Sequence, residues 1–166
     1  MQKGNLSSYF KGIAAKRLSA VEASPESSNQ HEFNGVAQLK AVFGSARLTL
    51  SAKFIYLGND EESITEDVGS ITWYDAREEH PTRSEYRLYY STTSVSQLAT
   101  EGDLLFIGLL PAGSVLVIIA KAGSTYERNI IWLFGLTQDP ITGFVAHEIE
   151  GGNDFALSFT SKLILD

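Results

Sequence analysis

Asp103 to Ala122 reads "DLLFIGLLPAGSVLVIIAKA", two apolar runs parted by Pro111, Ala112, Gly113 and Ser114. Runs of that length, rich in Leu, Ile, Val and Phe and bounded by turn formers, read as β-strands. The same pattern recurs upstream in "ARLTLSAKFIYL", "GSITWYD" and "RSEYRLYY", each bounded by Gly, Pro, Asn or Asp. Between the last two, "REEHPT" is a hairpin connection whose Pro81 has no place in a central ladder.

Helical signals are shorter. "NGVAQLKAVFG" spaces Val36, Leu39, Val42 and Phe43 at helical intervals and stops at Gly44. "TTSVSQLATEG" has a threonine cap and a glycine stop. In "STYERNIIWLFG", Ser124 and Glu127 stand at capping-box spacing ahead of Ile130, Ile131 and Phe134, with Gly135 as the stop. "FKGIAAKRLSAV" alternates imperfectly and fits a strand or a short helix. Glu22 to Gly35, "EASPESSNQHEFNG", is rich in turn formers and reads as a loop or extended arm. The expected fold class is mostly β with short helices (α+β), around a barrel-like or sandwich core.

The chain has 166 residues, 43% of them hydrophobic, which suits one domain over residues 1–166 with a real core. It has no cysteine, which removes disulfides, thiolate metal ligands and cysteine nucleophiles and fits a reducing cytoplasm. No run is long enough to span a bilayer as a helix, and no signal peptide opens the sequence. The net charge of −7 argues against a general nucleic-acid coat. Charge position matters more than the total, however. Met1 to Tyr56 carries seven Lys/Arg against three Asp/Glu, whereas Leu57 to Asp103 carries only Arg77, Arg83 and Arg87 against eleven acids.

Several chemistries lack their residues. His31, His80 and His147 are too far apart in sequence to form a zinc pairing, and no phosphate-binding glycine loop or nucleophile elbow occurs. The acidic run Asn59 to Asp67, "NDEESITED", lacks the spacing of a calcium loop and reads as a solvated loop. No lysine follows an acidic residue at a distance of two, so a common metal-dependent nuclease signature is missing as well. The expectation is therefore no catalytic residue, no metal and no cofactor within these residues.

"TRSEYR" alternates Arg83, Glu85 and Arg87 with Thr82, Ser84 and Tyr86. On a strand the three charged groups share one face. Arginine fits O6 and N7 of guanine bidentately, and a glutamate accepts from the cytosine amino group, so that face suits a G·C-rich major-groove edge. In the polar arm, Asn29 and Gln30 can bridge adenine, His31 can donate to guanine and Glu32 can accept from cytosine. The plain alternative is an exposed edge strand with a cross-paired ion ladder, worth roughly 0–1 kcal/mol per pair. Two further readings remain open. One is a β-barrel that binds sugars or small ligands on Trp73, Tyr74 and Tyr86; the other is a hydrolase that pairs carboxylates such as Glu78 and Glu85.

The collinear set "YFKGIAAKRLSA", "NQHE", "YDAREEHPTRSEYRL" and "DLLFIGLLPAGSVLVIIAKAGSTYERNIIW" resembles the N-terminal, effector-binding domain of EcoRII-type restriction endonucleases. The sharpest shared element is T-R-x-E-x-R, here Thr82, Arg83, Glu85 and Arg87, preceded by Arg77. The resemblance covers nearly all of Tyr9 to Leu136. It implies a B3-like DNA-binding pseudobarrel whose two arms enter the major groove and read a short G·C-flanked site such as CCWGG. One arm carries Arg83, Glu85 and Arg87, and the other His31 with Asn29, Gln30 and Glu32. Arg77, Thr82, Tyr86, Lys16 and Arg17 are expected at the DNA backbone or in support. Pro81 and Tyr86 stand where the namesake has lysines, and Val36 or a neighbour stands where it has an arm tyrosine. The resemblance also implies a bacterial or archaeal cytoplasmic protein with a separate C-terminal, Mg²⁺-dependent nuclease domain. The present sequence, ending "FTSKLILD" without a nuclease motif, is then expected to be an N-terminal piece that binds double-stranded DNA without cutting it.

Overall fold

The structure, a computed structural model, describes residues 10–23, 32–33, 39–60, 63–133 and 145–148. Its strands are β1 (Gly12–Arg17), β2 (Glu32–Phe33), β3 (Leu48–Leu57), β4 (Ile64–Asp75), β5 (Tyr86–Tyr90), β6 (Leu104–Leu109), β7 (Val115–Ala120) and β8 (Val145–Glu148). Three short helices interrupt them: α1 (Ala20–Ala23), α2 (Lys40–Phe43) and α3 (Thr125–Leu133). All eight strands join one curled sheet in the order β2-β5-β4-β3-β7-β6-β1-β8. The mostly-strand class with short helices expected from the sequence is the one observed.

Every pairing is antiparallel except β3 with β7. That parallel seam joins two antiparallel halves, and it explains the composition of β7. All six of its residues are buried, because apolar layers cover both faces of the sheet there. On one face, Tyr126, Ile130 and Ile131 of α3 pack over Ile55, Phe106 and Ile118. On the other, Leu39 and Phe43 belong to a cluster with Phe54, Trp73, Leu88 and Tyr90. Phe10 reaches the first layer edge-on to Phe106, with ring centroids 5.9 Å apart. Gly108 makes that approach possible, since a Cβ there would lie 2.5 Å from the Phe10 ring.

The ambiguous "FKGIAAKRLSAV" resolves into both options, strand β1 and then helix α1. Ser19 and Glu22 form a reciprocal capping box on α1: Glu22 N donates to Ser19 Oγ (3.3 Å) and Ser19 N to Glu22 Oε1 (2.9 Å). Glu22 and Ala23 therefore belong to a helix and not to the loop expected from Glu22 onward. Helix α2 ends at Gly44, whose φ of 80° reverses the chain. Val36, Phe134 and Gly135 lie outside the described residues.

Two expectations need correction. Ile64 to Asp67, read as the end of an acidic loop, opens β4, because Leu57 to Phe54 supply an antiparallel ladder for it. "TTSVSQLATEG" forms turns instead of a helix. The Thr93 hydroxyl does cap Ser96 N (3.1 Å), but the Ser96 hydroxyl bonds back to Thr93 O (2.9 Å), closing a local ring. Among the described residues, no helix is long and apolar enough to cross a membrane.

Candidate nucleic-acid interface

Strands β4 and β5 pair with Tyr74 opposite Arg87 and Asp75 opposite Tyr86. The loop between them is fastened by two side chains. Asp75 Oδ1 accepts from Arg77 N (2.9 Å) and from Glu85 N (2.8 Å), while Ala76 N donates to Glu85 O (2.7 Å). His80 Nδ1 accepts from Thr82 N (3.2 Å) and Arg83 N (3.0 Å). These contacts supply partners that a longer ladder would otherwise provide. Regular strand consequently starts at Tyr86, and the expected run of Arg83, Glu85 and Arg87 along one strand face does not form. Thr82 and Arg83 stand on the exposed loop, and among the described residues the Arg83 side chain has no partner.

Glu85 and Arg87 nevertheless meet. Glu85 Oε2 accepts from Arg77 Nε (2.7 Å), and its Oε1 accepts from Arg87 Nη2 (2.8 Å) and Nε (3.3 Å). Strand β2 pairs with β5, placing Glu32 opposite Tyr89, two positions along from Arg87. Arg87 Nη1 then donates to Glu32 Oε2 (3.1 Å), and the Tyr74 hydroxyl donates to Glu32 Oε1. One polar chain thus runs Arg77, Glu85, Arg87, Glu32, Tyr74, and it joins the hairpin loop to the strand that ends the polar segment. Hydrogen bonds from Arg77 and then Arg87 hold the Glu85 carboxyl below its ordinary range. The bond to Glu85 raises the pKa of Arg87, while burial first and Glu32 second raise that of Tyr74.

Behind this chain the packing is aromatic. Tyr86 stacks on Trp73 with centroids 5.0 Å apart and a 22° interplanar angle, and Lys40 Nζ sits 4.3 Å from the Tyr86 centroid. The Tyr86 hydroxyl donates to Ser45 O (2.9 Å), and Trp73 Nε1 to Gly44 O (2.9 Å). Arg47 lies over the Tyr74 ring at 5.3 Å. An open concavity of about 540 Å³ lies beneath the loop, between Arg47, Tyr74, Arg77, Glu78 and His80.

The remaining sites separate clearly. Lys16 is 5% exposed and bonded to Glu22 Oε2 at 2.8 Å, a buried ion pair beneath the surface. Arg17 is paired with Glu127 and donates to Gly102 O (3.3 Å); burial lowers its pKa. Trp73, one of the three rings of the alternative sugar platform, is completely buried under Tyr86 and offers no face to a ligand. The hydrolase reading requires one carboxyl with a raised pKa. Glu85 is shifted the opposite way by its two arginines. Asp67, from the acidic run, accepts from Ser94 N and Oγ and from Val68 N, which lower its pKa and make it a tether between segments. Among the described residues, no three metal-ligating side chains gather into a site. Asn29, Gln30 and His31 lie outside the described residues.

Sequence reasoning did not identify Arg47, or Tyr74 as a partner of Glu32. Arg47 had no signal, because its neighbour is set by the β3–β4 register. Tyr74 had a weak one, since alternation along "ITWYD" puts it on the face opposite buried Trp73.

No protein-family model matches the chain, and no curated protein matches it. Among solved structures it is similar to the B3 domain of the UbaLAI restriction endonuclease with cognate DNA. The TM-score is 0.40 and the identity 16%, over 82% of this chain and 86% of that one. A likeness that loose does not assign the chain to a family.

Proposed function

We propose that this chain is a sequence-specific recognition domain for double-stranded DNA, of the B3-like kind found in EcoRII-type restriction endonucleases. Loop 76–85 and the segment bearing Asn29 to Glu32 are its two major-groove arms, and a short G·C-flanked site such as CCWGG is its target. The observation that carries this reading is the ion chain through Arg87. It draws groups from both proposed arms, Glu85 and Arg77 from one and Glu32 from the other, into a single cluster open to solvent along one side. On the same loop Arg83 offers an exposed guanidinium, and an arginine edge is the commonest specific partner of guanine. Arg47 and Lys40 flank the cluster and are suited to phosphate. On this reading the DNA-cutting chemistry and its Mg²⁺ belong to a nuclease domain outside these residues.

Selection on random duplexes tests the reading. Enrichment of one short G·C-flanked sequence, with plasmid left intact in Mg²⁺, is the expected result. Absence of any enriched sequence, or plasmid cleavage traced to this chain, would contradict it.

A further inference from the structure

We infer that Glu32, Glu85 and Tyr74 are positioning residues, and that Arg87 is the member of their cluster that reads a base, a guanine taken end-on. The inference rests on the DNA-binding reading above and assigns roles within it. A guanidinium has five N–H groups. Glu85 Oε1 occupies Nε and one N–H of Nη2, and Glu32 Oε2 occupies one N–H of Nη1. One N–H on each terminal nitrogen remains, a donor pair that can serve guanine O6 and N7.

The carboxylates are poorly placed to read cytosine themselves. Glu32 has an 11% exposed side chain, with Oε1 taken by Tyr74 and Oε2 by Arg87. Both oxygens of Glu85 already accept from arginine. Two acids therefore hold one guanidinium from two sides, and Tyr74 fixes the second acid. An arginine held this way loses less side-chain freedom on binding. Two carboxylates against the guanidinium offset its charge and repel a phosphate, whereas the free donor pair still suits a neutral base edge, so the arrangement favours bases over backbone.

The experiment measures binding of Arg87→Ala, Glu32→Ala, Glu85→Gln, Tyr74→Phe and their pairwise combinations with Arg87→Ala. The probes are the duplex selected by the wild-type chain and copies of it changed one base pair at a time. Arg87→Ala should reduce discrimination at one G·C pair by on the order of tenfold. Glu32→Ala, Glu85→Gln and Tyr74→Phe should relax discrimination at that same pair, and adding any of them to Arg87→Ala should change nothing further. Tyr74→Phe removes one hydroxyl and keeps the ring, so its effect separates positioning from collapse of the fold. Additive losses at different base pairs would make the acids readers in their own right and overturn the inference. A uniform loss on every duplex would overturn it too. Failure of the wild-type chain to prefer any duplex sinks the DNA reading itself, which is a separate outcome.

Discussion

Lys16 and Arg83 are both cations of the expected interface, and their surroundings give them opposite roles. Lys16 is buried against Glu22, whose other oxygen caps α1. Breaking a buried ion pair by removing one partner is strongly destabilising, so Lys16→Ala should lower unfolding stability by about 3 kcal/mol while the folded fraction keeps its DNA affinity. Chemical denaturation with a parallel binding assay distinguishes the two effects. Arg83 is exposed, its side chain without a partner among the described residues. Arg83→Ala should leave stability unchanged and cost about 1–3 kcal/mol of binding, concentrated at one base pair if it reads guanine. Uniform weakening on all sequences, with a salt slope lower by about one, would assign it to phosphate. The sequence already set Arg83 on an arm and Lys16 at the backbone or in support, but it could not show that Lys16 is buried.

At the scale of elements, the strands were the most legible part. "DLLFIGLL" and "GSVLVIIAKA" carry enough β-branched and apolar residues to become β6 and β7 whatever surrounds them. The boundaries were less legible, because partners decide them. Nothing in "SITED" announces that Leu57 to Phe54 will pair with it, and nothing in "RSEYR" announces that Asp75 and His80 will capture the backbone donors before Tyr86. The site was legible as a composition, Arg77, Arg83, Glu85 and Arg87, but not as an ion chain, since Glu32 and Tyr74 join it only through sheet register. Asp75 should therefore be the residue that shapes the loop. Asp75→Ala removes the acceptor of two backbone N–H groups, for an expected stability loss of about 1–2 kcal/mol. Amide exchange should quicken at Arg77 and Glu85 while the β6–β7 ladder stays protected. Unchanged exchange at both positions would show that the loop is held by other contacts.

The whole molecule resolves the paradox of an acidic chain proposed to bind DNA. Strands β3 and β4 form a long hairpin, with Arg47, Tyr74 and Arg77 near one end and Asp60 and Glu66 toward the other. The 10 residues of β3 extend about 30 Å. That exceeds the roughly 8 Å Debye length several-fold, so the far acids repel a bound duplex little in physiological salt. On the proposed reading, Glu78 and Glu79 on the loop itself would oppose indiscriminate phosphate binding.

Stability at high pH is also a property of the whole core. Tyr90 is 2% exposed, donates to Glu22 O (3.1 Å), and has its pKa pushed up to about 12, first by burial. A folded-state pKa above the unfolded value of about 10 contributes stability that is complete below pH 10 and is lost as pH rises through 12. Unfolding stability should therefore decline from about pH 10 upward, by up to about 3 kcal/mol from this group, and Tyr90→Phe should flatten the decline. An equal decline in the variant would place the titration on other tyrosines.

The central claim, recognition of duplex DNA by sequence, is tested most directly by affinity against salt on two duplexes, one selected by the chain and one scrambled. The account predicts log K falling linearly with log salt on both, with the selected duplex tighter by a factor of at least about 10³ at physiological salt. Equal affinity for the two duplexes, or no binding even at low salt, would contradict it.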